Sequence, residues 1–306
     1  MALVVEHDKR KHEILAKALD VFIEDGYEDV TFQKIADRCG ITRTTLYIYF
    51  KNKREIFLFS IKQLLSDVQT LLQTDILAKD LISLGLNLNF APVVDIYNNS
   101  KSKVLAKRCF YGDVNDISKY AKVYIEEMKK RDIISVIKHY PGHGASKMDS
   151  HLFIPFIFNY KSVLNKHMVP FNNLIKDNVD GIMVGHIAVR KLCGFLPASL
   201  SRKFIAKYLR VDNNYSGLII SDEVNMLKRN PFLKFICEDK MLKSSNDMIL
   251  VKIKNLNDAN KFINKYHKLL EKNQYLKSEL DESISRIINI KKKYNISDKS
   301  SELEID

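Results

Sequence analysis

Cysteine pairs and long apolar runs are both missing from this 306-residue sequence. The four cysteines, Cys39, Cys109, Cys193 and Cys237, are widely spaced and form no CxxC pair. This argues against a disulfide framework or a structural metal site and favours a reducing compartment. No run approaches the length needed to cross a bilayer, and the N-terminus lacks the apolar core of a signal peptide. We therefore expect a cytoplasmic protein with no membrane partner, no metal and no cofactor.

Hydrophobic residues make up 46% of the sequence and charged residues 28%, as in soluble globular proteins. The length permits one large domain or two ordinary ones. The net charge is +12, but residues 1–70 hold eleven basic and eleven acidic side chains, so the excess lies in residues 71–306. Much of it falls in lysine-rich stretches such as 291–293. We interpret this excess as a solvated helical surface, because net charge alone does not establish a nucleic-acid site.

The first fifty residues carry the pattern of three short helices. Apolar residues recur at helical spacing from Ile14 to Phe22, and Gly26 is suited to end that helix. Thr31 is placed to cap a second helix. After a turn at 39–41, Thr42 is placed to cap a third. Two short helices joined by a glycine-containing turn form a helix-turn-helix, whose second helix can enter a major groove.

Basic residues are concentrated around this third helix, since residues 34–54 hold six bases and one acid. The start of the helix is where side chains reach base edges, and its later part lies nearer phosphates. We expect base-edge contacts from Arg43, Thr44 and Thr45. Phosphate contacts are expected from Tyr47, Tyr49 and Lys51.

Residues 9–60 resemble the DNA-binding domain of TetR-type regulators. The matching motifs are Phe22-x-x-x-Gly26-Tyr27, Val30-Thr31-Phe32-x-x-Ile35-Ala36, Cys39-Gly40-Ile41-Thr42 and Thr45-Leu46-Tyr47-x-Tyr49-Phe50-x-x-Lys53. The resemblance implies a helical DNA-binding domain over residues 1–75, with double-stranded DNA as partner. Tight operator binding needs two copies, so a homodimer is expected, yet the helical dimerisation domain of that family does not follow here.

From residue 78 onward, strand patterns alternate with helical ones, which indicates parallel pairing. The predicted strands are 86–94, 133–139, 181–186, 217–221 and 247–252, and the predicted helices are 115–130, 160–176, 200–209 and 280–294. Polar residues follow several of these strands, as they do at the mouth of a barrel. The sequence therefore predicts an α/β fold: an incomplete (β/α) TIM-like barrel over residues 76–306, preceded by a small all-α helix-turn-helix domain.

The densest group of titratable residues lies at the end of the second predicted strand. Lys138-His139-Tyr140-Pro141-Gly142-His143-Gly144 is followed closely by Asp149-Ser150-His151. A glycine-containing loop that carries a lysine, an aspartate and three histidines after an apolar strand is a candidate site.

Residues 78–295 resemble family 3 glycoside hydrolases, in particular bacterial β-N-acetylglucosaminidases that process cell-wall fragments. The motifs are Asn87-Leu88-Asn89-Phe90-Ala91-Pro92-Val93-Val94-Asp95, Arg108-Cys109-Phe110-Tyr111-Gly112-Asp113, the Lys138–His151 run, Met183-Val184-Gly185-His186 and Gly217-Leu218-Ile219-Ile220-Ser221-Asp222. The first strands of that family's barrel, including an Asp-x-Glu-Gly-Gly segment that binds the sugar, have no counterpart before residue 85. The resemblance is therefore to a truncated barrel.

The resemblance implies three catalytic residues. Asp222 would be the nucleophile of a retaining mechanism, although an aspartate after a strand is also a common helix cap. His151 would be the acid and base, and Asp149 would orient its imidazole.

Five further residues are candidates for sugar binding. Arg108, Lys138 and His139 would hydrogen-bond the saccharide, which the resemblance implies to contain N-acetylglucosamine. For Asp95 and His186, sugar binding and a structural role that ties strand ends together remain open alternatives.

Three hypotheses follow for the whole chain. The first is a β-N-acetylhexosaminidase-like hydrolase joined to a DNA-binding domain, which we favour. The second is a TetR-type transcription regulator whose hydrolase remnant senses sugars or is inactive. The third is a fusion of two gene fragments, neither fully competent.

Overall fold

The computed structural model describes residues 2–97, 105, 108–146 and 154–296. It divides into two compact units, Met1–Ile76 and Leu77–Asp306. Within the described part of the chain, no helix combines the length and the apolar character that crossing a membrane requires.

The first unit is helical, as its sequence predicts. Helix α1 spans Ala2–Asp25, α2 Phe32–Cys39 and α3 Arg43–Tyr49. The Thr31 side chain accepts a hydrogen bond from the backbone of Lys34, and Thr42 accepts one from Thr45, so both predicted caps are confirmed. Helix α4, Lys53–Ser83, begins in this unit and ends in the second.

An apolar core and polar ties hold these helices together. The core contains Ile14, Phe22, Ile35, Leu46 and Phe50, among others, and each is almost fully buried. The Lys53 ammonium donates to the carbonyl of Tyr27 at 2.7 Å and lies over its ring, 4.5 Å from the centroid. This lysine fixes the loop between α1 and α2 to the start of α4.

The second unit alternates strands with helices. Its strands are β1 (Leu88–Asn89), β2 (Ile134–Tyr140), β3 (Phe156–Ile157), β4 (Gly181–Val184), β5 (Ala188–Val189) and β6 (Leu218–Ser221). Its helices are α5 (Val114–Lys129), α6 (Tyr160–Ser162), α7 (Val169–Lys176), α8 (Arg190–Cys193), α9 (Arg202–Ile205), α10 (Val224–Leu227), α11 (Cys237–Leu242), α12 (Leu256–Glu271) and α13 (Gln274–Lys293). Short 3₁₀ turns lie at His143–Ala145 and Ala198–Leu200, and π turns at Val163–His167 and Ala206–Val211.

Among the described residues, four strands form a parallel sheet in the order β1-β2-β4-β6, and β3 pairs with β5 beside it. Strands β4 and β6 are buried along their whole length, as in parallel sheets whose two faces are both covered. The predicted class, a parallel α/β fold preceded in the sequence by a small helical domain, is confirmed.

Four sequence predictions differ from the structure. The strand predicted at 86–94 is regular only over Leu88–Asn89, with isolated bridges at Val93. The predicted strand at 247–252 is wrong as a regular strand, because Met248 alone bridges to Ile220 in the described chain. The backbone N–H groups of Leu250 and Lys252 instead donate to side-chain oxygens, Ser221 Oγ at 3.0 Å and Glu223 Oε1 at 3.2 Å.

The predicted helix at 160–176 is interrupted by a π turn before α7. Pro170 lies in the first turn of α7 and has no N–H to continue a ladder from the preceding residues. The predicted helix at 200–209 also passes into a π turn, and the small β3–β5 sheet was not predicted at all.

Beside β6, a buried carboxylate joins this strand to α13. Asp247 accepts hydrogen bonds from the backbone of Ile219 at 2.7 Å and from Ser283 at 3.0 Å. It also pairs with the guanidinium groups of Arg210, at 2.5 Å, and Arg286, at 2.8 Å. The network fixes α13 to the sheet.

Candidate active site

Polar side chains meet at the carboxyl edge of the parallel sheet. Lys138 and His139 lie near the end of β2, His186 follows β4, and Asp222 directly follows β6. Because β4 lies between β2 and β6 and all three run parallel, these ends share one edge. The backbone of Asp222 donates to the carbonyl of Val184 at 3.0 Å, which fixes its position beside β4.

Asp95 is the hub of the first half of the site. Its carboxylate is fully buried and accepts three hydrogen bonds, from the His139 backbone at 3.2 Å, from His139 Nδ1 at 2.8 Å and from the His143 backbone at 2.6 Å. Burial acts to raise the pKa of Asp95, but the hydrogen bond and charge of His139 and the nearby His143 outweigh it and lower that pKa. Asp95 is therefore ionised at neutral pH and organises the loop after β2.

The same contact sets the tautomer of His139. Since an ionised carboxylate can only accept, the ring must donate from Nδ1 to Asp95. This leaves Nε2 as the ring nitrogen that can meet a sugar hydroxyl. Of the two alternatives left open for Asp95, its burial and its partners favour the structural one: it orients His139.

The loop after β2 passes very close to its neighbours, which explains its glycines. A Cβ at Gly144 would lie 1.8 Å from the carbonyl oxygen of Ile96, a distance that no side chain tolerates. Gly142 has φ of 117° and a Cβ there would lie 2.7 Å from Cβ of His167. The glycines therefore allow His143 to approach Asp95.

Asp222 is largely buried and lies within electrostatic reach of the β2 residues. Burial acts to raise its pKa, but electrostatic interactions with His186, His139 and Lys138 outweigh it and lower the pKa. Oδ1 also accepts from the backbone N–H of Glu223 at 2.8 Å. Asp222 is thus held as a carboxylate, the state that a nucleophile requires.

Lys138 is half-buried between Arg108 and the two carboxylates. Burial, together with the charge of Arg108, lowers the pKa of the Lys138 ammonium, while Asp222 and Asp95 act in the opposite direction. Arg108 itself is exposed. The site therefore combines two cationic donors with two ionised carboxylates, of which Asp95 is already bonded to His139 and His143, a set suited to binding a neutral polyhydroxylated ligand.

His186 is almost fully buried and both of its ring nitrogens bond to protein groups. Nε2 lies 2.8 Å from the carbonyl oxygen of Glu223, which can only accept, so Nε2 carries the proton. Nδ1 then accepts from Ser199 Oγ at 2.7 Å. Burial lowers the pKa of His186, which keeps the ring neutral. These contacts favour the structural alternative for His186, a tie between the ends of β4 and β6.

Two of the three predicted catalytic residues, Asp149 and His151, lie outside the described residues. The structure brings together the other six predicted site residues of the second unit: Asp95, Arg108, Lys138, His139, His186 and Asp222.

The predicted DNA contacts lie on or just after α3 in the first unit. Arg43, Thr44, Tyr47 and Lys51 are exposed. Arg43 donates to the Tyr47 hydroxyl at 3.3 Å. Thr45 is half-buried and bonds to the cap residue Thr42, and Tyr49 packs on the core. The exposed face of α3 thus presents three of the six predicted residues, and Lys51 is exposed just after the helix.

Not every basic residue near α3 is available for phosphate. Lys34 and Arg38 lie on α2 and pair with Asp25 and Glu24 of α1. Their role is to join the two helices, which the charge count over residues 34–54 did not distinguish.

Comparison with known proteins supplies the family. The N-terminal domain of glycosyl hydrolase family 3 matches residues 63–290, well over half of the chain. The chain belongs to glycosyl hydrolase family 3. Residues 14–58 match the N-terminal domain of bacterial regulatory proteins of the tetR family, so a TetR-type domain precedes the family 3 domain.

Curated relatives of the family 3 domain are similar over part of their length. A beta-hexosaminidase of Psychromonas ingrahamii is 33% identical over 153 residues, which are 49% of this chain and 44% of that protein. Beta-hexosaminidase A of Pseudoalteromonas piscicida is 28% identical over 238 residues, 71% of this chain and 40% of that protein. The chain thus spans less than half the length of these two relatives.

A solved structure confirms the fold of the family 3 domain. A glycoside hydrolase family 3 β-N-acetylglucosaminidase from a Paenibacillus species superposes with a TM-score of 0.68 and 23% identity. The superposition covers 75% of this chain and 44% of that one. At this identity the likeness concerns the fold alone.

Two residues that hold the family 3 site together were not found from the sequence. Ser199 donates to His186, and Glu223 accepts from the backbone of Lys252 and Asn225. Glu223 follows Asp222 directly, so its place among the polar residues after β6 could have indicated a role in the site. Ser199 lies in a 3₁₀ turn with no distinctive motif and gave none.

Proposed function

We propose that the family 3 domain hydrolyses N-acetylglucosaminyl linkages with retention of configuration, and that its substrates are cell-wall fragments. The observation that carries this proposal is the ionised Asp222 at the carboxyl end of β6, beside Lys138 and His139. The beta-hexosaminidase relatives support the choice of sugar.

The proposed reaction has two steps. In the first, a carboxylate oxygen of Asp222 attacks the anomeric carbon, and the glycosidic bond breaks as His151 gives its proton to the departing oxygen. In the second, His151 takes a proton from water, whose oxygen attacks the same carbon and releases Asp222. Asp149 would hold the imidazole of His151 in the tautomer that this exchange needs.

The described residues have defined parts in binding. His139, oriented by Asp95 through Nδ1, presents Nε2 to a sugar hydroxyl, and Lys138 and Arg108 donate to hydroxyl or acetamido oxygens. Such positioning lowers the entropy that must be lost in reaching the transition state.

The test is turnover of 4-nitrophenyl N-acetyl-β-D-glucosaminide by the full chain, with folding checked by circular dichroism. We expect nitrophenol release that falls at least about a thousandfold in Asp222→Asn, because the nucleophile is lost while the shape is kept. Asp177→Asn, at an exposed aspartate paired with Lys122, is the control and should retain full activity. Folded wild-type protein without turnover would refute the proposal.

A second function, DNA binding by the TetR-type domain, is favoured by the exposed face of α3. We propose that Arg43, Thr44 and Thr45 contact bases and that Tyr47, Tyr49 and Lys51 contact phosphates. A helix-turn-helix reads one half-site, so a homodimer would read a palindrome. A cytoplasmic location fits this role and stays a prediction.

Selection of bound sequences from a random duplex pool, followed by titration at two salt concentrations, tests this second function. We expect Tyr47→Ala combined with Lys51→Ala to weaken binding to the selected site at least about tenfold. Equal affinity for selected and random duplexes would contradict sequence-specific binding. Altered affinity in the presence of N-acetylglucosamine would favour a sugar-sensing regulator.

A further inference from the structure

Helix α4 carries an apolar face that the described part of the chain leaves uncovered. Its α4 seam consists of side chains three and four residues apart, at Leu58, Ile61, Leu65, Val68 and Leu72. Leu58, Leu65 and Leu72 are 54%, 63% and 57% exposed. All five positions lie in the first unit. This spacing places them in one row along the helix, as in the seam of a coiled coil.

The face of α4 that does pack against neighbours is polar instead. Ser60 and Thr74 are buried. Ser60 Oγ donates to the carbonyl of Leu15 at 3.0 Å, and Gln63 Nε2 lies 3.0 Å from Nδ1 of His12 on α1. A surface helix of a monomeric protein ordinarily buries its apolar face and exposes its polar one. The reversed arrangement in α4 is suited to a contact that one chain alone does not supply.

The uncovered face is large enough to hold two proteins together. Leu64, Leu71 and Ile76 are also exposed and widen the seam. At roughly 80 Å² for each exposed side chain, the face offers roughly 550 Å² of apolar surface per chain. Two such faces would bury about 1,100 Å² together, slightly more than the ~1,000 Å² expected of a specific interface.

A second copy of the same chain fits this face, because the α4 seam is self-complementary. A half-turn about an axis between Val68 and Gln69 lays two α4 helices antiparallel, with Leu65 of one copy facing Leu72 of the other. The same rotation brings Lys62 of each copy opposite Asp75 of the other. In a parallel pair each of these charges would meet its own like charge, which is unfavourable.

We propose that two copies of this chain associate through their α4 seams in an antiparallel pair. The proposal deepens and rests for its purpose on the proposed DNA binding, which calls for two half-site readers, although the contact itself needs no DNA. In this chain the family 3 domain follows the TetR-type domain directly, so α4 supplies the contact between copies that a separate helical domain would otherwise make.

Sedimentation velocity of the full chain at several concentrations tests the association. We expect mainly dimer at about 20 µM chain, with dissociation on dilution. The dimer should persist in about 0.5 M sodium chloride, because salt does not screen apolar contacts. Leu65→Glu combined with Leu72→Glu should raise the dissociation constant at least about a hundredfold, since charged side chains would then meet in the seam. Both positions are exposed, so circular dichroism should show an unchanged fold.

A matched control makes the same kind of change on another helix. Leu256 and Ile263 of α12 are also exposed, and Leu256→Glu combined with Ile263→Glu should leave the dimer unchanged. Charge reversal tests the direction of the pair. Lys62→Glu should weaken the dimer about tenfold, and the addition of Asp75→Lys should restore it.

Each other outcome contradicts a defined part of the proposal. A folded wild-type chain that stays monomeric at about 100 µM leaves the face to a different protein and overturns the proposal. A dimer that survives Leu65→Glu with Leu72→Glu, or that the α12 control also dissociates, contradicts the assignment to α4. If Lys62→Glu leaves the dimer intact, or Asp75→Lys does not restore it, the antiparallel arrangement is wrong.

Failure of the α4 seam and failure of the proposed DNA binding give different results. A wild-type monomer that binds the selected duplex in preference to random duplexes contradicts the seam alone. A wild-type dimer that meets every expectation above but has no preference for any duplex contradicts sequence-specific DNA binding and supports the seam.

Discussion

Replacing Asp95 with asparagine removes the charge at the hub of the site with almost no change in shape. The carboxylate is fully buried and accepts from three N–H groups of His139 and His143. Asparagine offers one acceptor oxygen and one NH2 group, so at least one of these donors must face another donor.

The cost follows from those unmatched groups. Each buried donor left without a partner costs about 1–3 kcal/mol. With one backbone N–H and the new NH2 group opposed, Asp95→Asn should lower the free energy of unfolding by about 2–4 kcal/mol at pH 7. Asp177→Asn, which removes an exposed partner of Lys122, should cost less than about 1 kcal/mol and is the control.

Urea unfolding of the full chain, followed by circular dichroism between pH 3 and pH 7, measures this difference. The pKa of Asp95 is lowered in the folded protein, so its stabilisation is fully present above the unfolded value of about 3.9 and is lost as the pH falls through the folded value. The gap between wild type and Asp95→Asn should be constant above about pH 5 and shrink below about pH 4. A gap under about 1 kcal/mol at pH 7, or one that widens in acid, would refute the reasoning.

Three further perturbations test other parts of the structure. Asp247→Asn should destabilise the family 3 unit by about 3–5 kcal/mol in thermal unfolding, because it leaves the largely buried guanidinium of Arg210 without its counter-charge. A loss under about 1 kcal/mol would show that the network is dispensable. Gly144→Ala should abolish sugar binding in calorimetry, since its Cβ would collide with the Ile96 carbonyl. Asp177→Ala, at an exposed position paired only with Lys122 among the described residues, is the control and should bind normally, and equal binding by both variants would contradict the close approach. Lys53→Met should lower the free energy of unfolding of the TetR-type domain by about 1–2 kcal/mol, and its melting midpoint with it, since the variant loses charge-assisted hydrogen bonds to two loop carbonyls. An unchanged midpoint would show that these bonds contribute nothing.

The sequence was informative wherever a local signal specified the structure. The caps Thr31 and Thr42, the buried β-branched strands β4 and β6, and the polar residues after each strand were all identifiable because each depends on neighbours in the chain.

The sequence was less informative where side chains from distant segments replace backbone pairing. Ser221 and Glu223 take the N–H groups that a strand at 247–252 would have used for its ladder. Likewise, His186 resembles a ligand-binding residue until its partners, Ser199 and the Glu223 carbonyl, are known. Neither contact has a periodic signature.

The central claim is that Asp222 attacks the sugar, and trapping the covalent intermediate tests it most directly. A 5-fluorinated N-acetylglucosaminyl fluoride should label the full chain once, and peptide mass spectrometry should place the label on Asp222 and find none in Asp222→Asn. A hydrolytically active protein that is labelled at another residue, or that is labelled equally in Asp222→Asn, would contradict the account.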